Sequence, residues 1–158
     1  GDIMANWTNP IYDRTKEDVD YAKSQIANKK ANNGIMSGSV YYKGCLNFPD
    51  VNRIENNTKY LADLLISLYY FNSISRNSTS WIRNSKLDTA NVSRIINNVD
   101  ILQSAYYTPT GSPDLPTTLT HYEQVNSVEK CLYLLKEMID DMVSSFRECG
   151  TFYCGEEW

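Results

Sequence analysis

Apolar residues recur at steps of three and four along three long segments of the chain, the spacing of one face of an α-helix. This pattern predicts helices at 47–71, 88–107 and 120–149. A shorter stretch at 15–31 has the same spacing and begins with Thr15 and Asp18, which can cap a helix reciprocally. Asp88 can cap the third helix, and Pro109 lies beyond its end because proline cannot continue a helix. We therefore expect four helices.

The segments between these helices lack helical periodicity. We expect an N-terminal extended arm at 1–14, long ordered loops between the last three helices, and a C-terminal tail at 150–158. Trp81, Ile82 and Leu115 give the long loops apolar side chains that can pack on the helices. A short β-hairpin formed by 38–44 and 151–154 is an additional option. The expected fold is mainly α, a single domain over 1–158 built as a helical bundle of about four helices.

The second and third helices repeat a short polar pattern. Residues 50–57 read DVNRIENN and residues 91–98 read NVSRIINN. Asparagine is a poor residue inside a helix because its amide competes for backbone hydrogen bonds. We interpret the repeat as a structural motif in which arginine and asparagine, four residues apart on one face, clamp the backbone of a neighbouring loop. The alternative is that the chain is rich in asparagine and these positions are solvated. The motif comprises Arg53, Asn56, Asn57, Arg94, Asn97 and Asn98.

When the sequences of the last three predicted helices are aligned, their apolar residues fall at the same positions, here called columns. This pattern does not determine how the helices pack. The columns predict either a bundle packed within one chain or a seam reserved for other copies of the chain. The long loops can run back along a helix, so parallel and antiparallel neighbours are both allowed.

Charge and hydropathy exclude two classes of partner. The net charge is −4 and no basic stripe is present, which argues against nucleic acid. No apolar stretch reaches the ~18 to 20 residues that span a bilayer, and the N-terminal residues lack the apolar core of a signal peptide. We expect a protein made in the cytoplasm that does not enter a membrane.

Few residues suggest chemistry. His121 is the only histidine, so a zinc site would lack a second nitrogen ligand. A serine or cysteine nucleophile normally needs a nearby base, and His121 at the start of a helix is a poor candidate for that role. We therefore expect no catalytic residue, no metal and no cofactor. The four cysteines form no CxxC pair; core or free thiols are expected, although Cys149 and Cys154 are close enough in sequence to bridge. Three carboxylates at Glu137, Asp140 and Asp141 leave a small hydrolase as a remote alternative to a solvated helix face.

Twelve tyrosines are more suggestive, because an aromatic ring with a hydroxyl suits both protein interfaces and sugar rings. Several occur as doublets in which one residue can face the core and the other the solvent. The predicted binding surface comprises Tyr41, Tyr42, Tyr70, Tyr107, Phe152, Tyr153 and Trp158.

Several short motifs occur in an order that resembles a known family. They are Trp7 and Pro10 with 13–15, then 43–47 leading into 52–57 and Tyr60, Leu115–Pro116, Asn126 with 128–130, and the ending 150–156. Together they resemble minor structural, tail-associated proteins of tailed phages and prophages of Gram-positive bacteria, over nearly the whole chain. Cys45 and Cys154 depart from the family, which has small residues there.

The resemblance implies a non-enzymatic structural or assembly module of a phage tail or baseplate, associated with the virion. Other tail or baseplate subunits, or further copies of this chain, would be its partners. The alternative within the same particle is a host-surface module that binds a cell-surface glycan. The resemblance implies no reaction and no catalytic residue.

Overall fold

The computed structural model describes residues 6–31 and 40–151, with the backbone alone for the last five. Its four helices are α1 (Lys16–Ala31), α2 (Phe48–Ser67), α3 (Thr89–Ala105) and α4 (Tyr122–Thr151). The expected mainly-α fold is confirmed. The part of the chain that the structure describes contains no β-strand.

Polar residues mark where the helices begin. The Thr15 amide donates to the Asp18 carboxylate and the Asp18 amide to the Thr15 hydroxyl, so α1 starts with the predicted capping box. Asp88 accepts from the Asn91 amide at 2.8 Å and caps α3 as predicted. At the start of α4, the Gln124 side-chain oxygen accepts hydrogen bonds from the backbone amides of Thr120 and His121, which lie just before the helix.

Helix α2 ends earlier than the predicted residue 71. Tyr69 adopts a left-handed conformation with φ of 68°. The Tyr70 amide then donates to the Leu65 carbonyl at 2.8 Å, and the Tyr69 amide to the Ile66 carbonyl at 3.0 Å. This pair of bonds closes the helix in a Schellman motif. No local sequence signal marks this end, because tyrosine occupies the position that glycine usually takes.

The predicted hairpin is not supported. Within its first arm, residues 40–42 have no strand pairing and residues 43–44 form a turn. Thr151, assigned to the second arm, is the last residue of α4. Residues 38, 39 and 152–154 lie outside the described residues.

Helices α2, α3 and α4 enclose the core and run parallel. Near their starts, Arg53 of α2 bonds to Glu129 of α4. Near their ends, the Tyr70 and Tyr106 rings pack edge to face at 4.8 Å, and both hydroxyls point at the Met142 sulfur. The aligned columns of the sequence therefore face one shared core. Its fully buried members include Ile54, Leu61, Leu65, Ile95, Val99, Leu102, Val128, Leu132, Leu135 and Ile139.

Parallel helices require the chain to return between them, and extended segments make these returns. The arm (residues 6–15) lies along α2 and α4, with Thr8 bonded to Asn57 and Arg14 to Asn126. The first return segment (71–87) lies along α2 and α3. The second return segment (107–119) reaches α4, where the Cys131 thiol donates to the Pro113 carbonyl. Each groove of the three-helix core thus holds one extended segment.

Helix α1 lies outside this core. Ala22 is its one buried residue among those described. It is held through the 40–47 segment, where Lys43 pairs with Asp13 at 3.0 Å and the Tyr21 ring packs against Tyr42. A side chain at Gly44 would collide with the backbone of Asp18 in the first turn of α1. This close approach requires glycine at position 44.

We predict that Gly44→Ala lowers the free energy of unfolding by about 1 to 3 kcal/mol, because backbone must move to admit the methyl group. The displaced α1 should also be cleaved faster by trypsin at its lysines. Gly111→Ala is the comparison, since Gly111 has a positive φ but open space around it. Equal cleavage of α1 in both variants and the unaltered protein would contradict the prediction.

Candidate functional site

Four asparagine side chains each hold the backbone of one extended residue through two hydrogen bonds. In each of these asparagine clamps, the amide oxygen accepts from a backbone N–H and the amide nitrogen donates to the carbonyl of the same residue. The eight bonds measure 2.7 to 3.2 Å. The pairs are Asn57 with Thr8, Asn98 with Ser75, Asn52 with Trp81, and Asn126 with Arg14.

Of the four asparagines in the predicted motif, two form clamps and two do not. Asn57 and Asn98 are buried and clamp the arm and the first return segment, which is the role proposed for the motif. Asn56 and Asn97 are exposed, so the solvated alternative describes them. The difference is rotation about the helix axis: successive residues point about 100° apart, so only one of each pair faces the groove.

The motif arginines bind carboxylates. Arg53 donates to Glu129 and Asp50, each at 2.7 Å. Arg94 pairs with Glu55 and also reaches the Ser75 carbonyl at 3.3 Å, so it alone of the two contacts loop backbone. The predicted arginine clamp on a loop is therefore wrong for Arg53.

Four buried charges close into a ring, here called the charge ring. Arg14 from the arm donates to Asp50 of α2 at 2.9 Å and to Glu129 of α4 at 3.0 Å. Arg53 donates to the same two carboxylates, so cations and anions alternate. No side chain in the ring is more than 10% exposed. The ring has no net charge, as burial demands.

Further donors hold the carboxylates of the ring. Burial acts to raise the pKa of Asp50, but the Asn47 backbone N–H and the two guanidinium groups outweigh it, and the pKa lies below its ordinary value. Burial raises the pKa of Glu129, against the opposing effect of Arg53 and Arg14. The ring also reaches the 40–47 segment, because the Tyr41 hydroxyl donates to Asp50 at 2.9 Å.

A second, smaller cluster surrounds Glu55. Its carboxylate accepts from Arg94 of α3 and from the Trp81 indole and the Asn77 amide of the first return segment. Burial acts to raise the pKa of Glu55, but these donors lower it below its ordinary value. Trp81 is buried as expected, whereas Ile82 beside it is 63% exposed.

The predicted motif omits two of the four clamp asparagines, Asn52 and Asn126, and three of the four charges of the ring. Glu55 and Glu129 occupy one column of the aligned helices, and Asn52 and Asn126 occupy another. Shared polar columns were therefore a usable signal in the sequence. Arg14 offered no such signal, since it lies in an aperiodic segment.

The tyrosines of the predicted binding surface lie at two ends of the core. Tyr41 and Tyr42 lie near the start of α2, whereas Tyr70 and Tyr107 follow the ends of α2 and α3. Helix α2 is about 30 Å long, so these pairs do not form one surface. Phe152, Tyr153 and Trp158 lie outside the described residues.

The ends of the parallel helices do present exposed aromatic side chains. Tyr69 is 83% exposed, Phe71 76%, Tyr107 63% and Phe146 68%. Three of them follow α2 or α3, and Phe146 lies one turn beyond Met142, which contacts both helix ends. We call these four residues the aromatic end.

The carboxylates and the histidine that could take part in chemistry do not come together in one site. Asp140 pairs with Lys136, and Glu137 accepts from Tyr133, each along the exposed surface of α4. That bond raises the pKa of Tyr133 to about 12. His121 is exposed at the start of α4.

The described residues contain no group of three or more side chains that could hold a metal ion. Burial raises the pKa of the Cys131 thiol to about 11, and Cys45 is half-buried; both are free thiols. The side chains of Cys149 and Cys154 lie outside the described part. Among the helices of 6–31 and 40–151, none has the length and apolar character to cross a membrane.

No protein-family model, curated protein or solved structure matches this chain.

We predict that Asn57→Ala lowers the free energy of unfolding by about 1 to 3 kcal/mol, because the N–H and carbonyl of Thr8 lose their partner. Asn56→Ala is the matched control, with the same side chain one position away but exposed. Urea denaturation followed by circular dichroism measures both. Equal stabilities of the two variants would contradict the clamp.

We predict that Arg14→Met lowers the free energy of unfolding by about 3 to 5 kcal/mol, because it leaves an uncompensated negative charge in the ring. Adding Glu129→Gln should recover part of this loss by restoring neutrality. Lys16→Met, which removes an exposed pair with Asp20, should leave the denaturation midpoint unchanged. An Arg14→Met midpoint equal to that of Lys16→Met would refute a structural role for the ring.

Proposed function

We propose that this protein is a non-enzymatic structural or assembly module of the tail or baseplate of a tailed phage or prophage. The observation that carries the proposal is the aromatic end, where four large side chains are exposed at the ends of three parallel helices. Exposed aromatic clusters mark interaction surfaces, because burying them on a partner is favourable. The resemblance of the sequence to phage tail-associated proteins suggests that this partner is another subunit of the phage tail or baseplate.

The use of the polar side chains supports an architectural role. Buried arginine, aspartate, glutamate and asparagine residues are bonded to one another or to the extended segments. A binding or catalytic site needs such groups to converge on a space that a ligand can enter. Here they converge on one another and on the protein's own backbone.

A host-surface module that binds glycans is the second candidate. Exposed tyrosines such as Tyr69 and Tyr107 suit stacking on sugar rings, and this supports the alternative. The small hydrolase gains no support, because Glu137 and Asp140 are exposed and bonded along their own helix.

The proposal predicts that the chain is part of the particle. Prophage induction, purification of virions and mass spectrometry should detect it, and immunogold labelling should locate it at the tail or baseplate. Tyr69→Ser with Phe71→Ser should remove it from particles without changing its melting temperature. Tyr21→Ser, at an exposed tyrosine of α1 outside the aromatic end, is the control and should be incorporated normally.

Absence of the chain from purified particles would sink the proposal. Binding to purified cell walls or arrayed glycans, lost in the Tyr69→Ser and Phe71→Ser variant, would favour the second candidate instead. No binding at millimolar glycan would rule out the glycan-binding candidate.

A further inference from the structure

A pocket of about 370 Å³ opens at the opposite end of the core from the aromatic end. It lies between the end of α1, the 40–48 segment and the first return segment. Tyr42, Phe48, Trp81 and Ile82 contribute apolar and aromatic walls. Its volume is within the ~300 to 1,000 Å³ of ligand pockets.

The charges at this pocket select an anionic occupant. Arg83 lines it, and no carboxylate belongs to the described residues of its lining. The Lys29 ammonium lies 5.9 Å from the centre of the Tyr42 ring, which forms one wall. In a chain of net charge −4, this is a locally positive apolar cavity. The fitting occupant is an aromatic side chain flanked by acidic residues.

The chain itself carries such a segment. Residues 152–158 read FYCGEEW, with two glutamates directly before Trp158. Tryptophan and tyrosine are the side chains that most often anchor protein interfaces. Glu156 and Glu157 supply the negative charge that Arg83 would pair with.

The segment cannot occupy the pocket of its own chain. The pocket is lined by Phe48, the first residue of α2. Arg53, about one turn further along α2, bonds to Glu129 of α4. Along the shared direction of the helices, the pocket therefore lies no further than Glu129. From there α4 runs 22 residues further to Thr151, a rise of about 33 Å. Seven extended residues span at most about 25 Å. The segment therefore reaches only the pocket of another copy.

We infer that copies of this chain associate head to tail, with residues 152–158 of one copy seated in the apolar pocket of the next. This inference deepens the proposed assembly role and rests on it only for its biological setting. A head-to-tail contact uses two different surfaces, so it propagates into a ring or a filament.

The test is sedimentation velocity of the full chain over a range of concentrations. We expect species larger than a dimer that grow with concentration and fall at high salt. Arg83→Glu, and separately Glu156→Lys with Glu157→Lys, should each weaken association by about tenfold or more. Combining all three substitutions in one chain should restore it. Lys130→Glu, at an exposed lysine of α4 outside the pocket lining, is the matched control and should have no effect.

Mixing the two defective chains gives the sharpest result. The acidic segment of the Arg83→Glu chain fits the unaltered pocket of the second chain, and the lysine-bearing segment of the second chain fits the reversed pocket of the first. Both contacts are complementary, so the mixture should form species larger than a dimer at concentrations where neither chain does so alone. A chain that stays monomeric at millimolar concentration, or association that these substitutions do not change, would overturn the inference and assign the pocket to a different partner. Detection of the chain in virions is independent of this result, so the two proposals fail separately.

Discussion

A ring of four buried charges fixes how the arm, α2 and α4 fit together. Arg14 and Arg53 alternate with Asp50 and Glu129, and each guanidinium touches both carboxylates. Desolvation consumes most of the attraction between buried charges, so the ring adds little net stability. We expect its effect to be on specificity, because any other placement of the arm leaves charges buried without partners. The register of the arm follows from this constraint.

The asparagine clamps solve a second problem that the parallel arrangement creates. Returning segments must lie in the grooves between helices, where their N–H and carbonyl groups are partly removed from water and need partners. Neighbouring helices have already paired their own backbone groups. The asparagine amide has one donor and one acceptor side, like a peptide group, and can satisfy both needs of one extended residue. Clamps of this kind replace the strand pairing that a sheet would provide.

The sequence predicted the parts of the fold that depend on periodic burial. The four helices and their apolar columns follow from spacing alone, and Asn57 and Asn98 could be singled out because asparagine inside a helix needs a reason. Which member of each asparagine pair faces the groove depends on helix rotation, and that is set by the core. Sequence spacing could not supply it.

Other features depended on partners distant in sequence. Arg14 meets Glu129 across 115 residues, and no local pattern announces that contact. Tyr69 ends α2 in a conformation usually taken by glycine, so the predicted end was too late. The hairpin is not supported: the Tyr41 hydroxyl donates to Asp50 of the charge ring, and the Tyr42 ring packs against Tyr21 of α1. Local propensity does not decide such tertiary roles.

Each asparagine clamp bonds to both backbone groups of one extended residue, and we expect the clamps to hold the extended segments as firmly as helices hold their own backbone. Native-state hydrogen exchange by NMR tests it directly at the amides of Thr8, Arg14, Ser75 and Trp81. The clamps predict protection of these four amides comparable to that inside α2, although none belongs to a helix. Exchange of all four at the rate of unprotected loop amides would contradict the account.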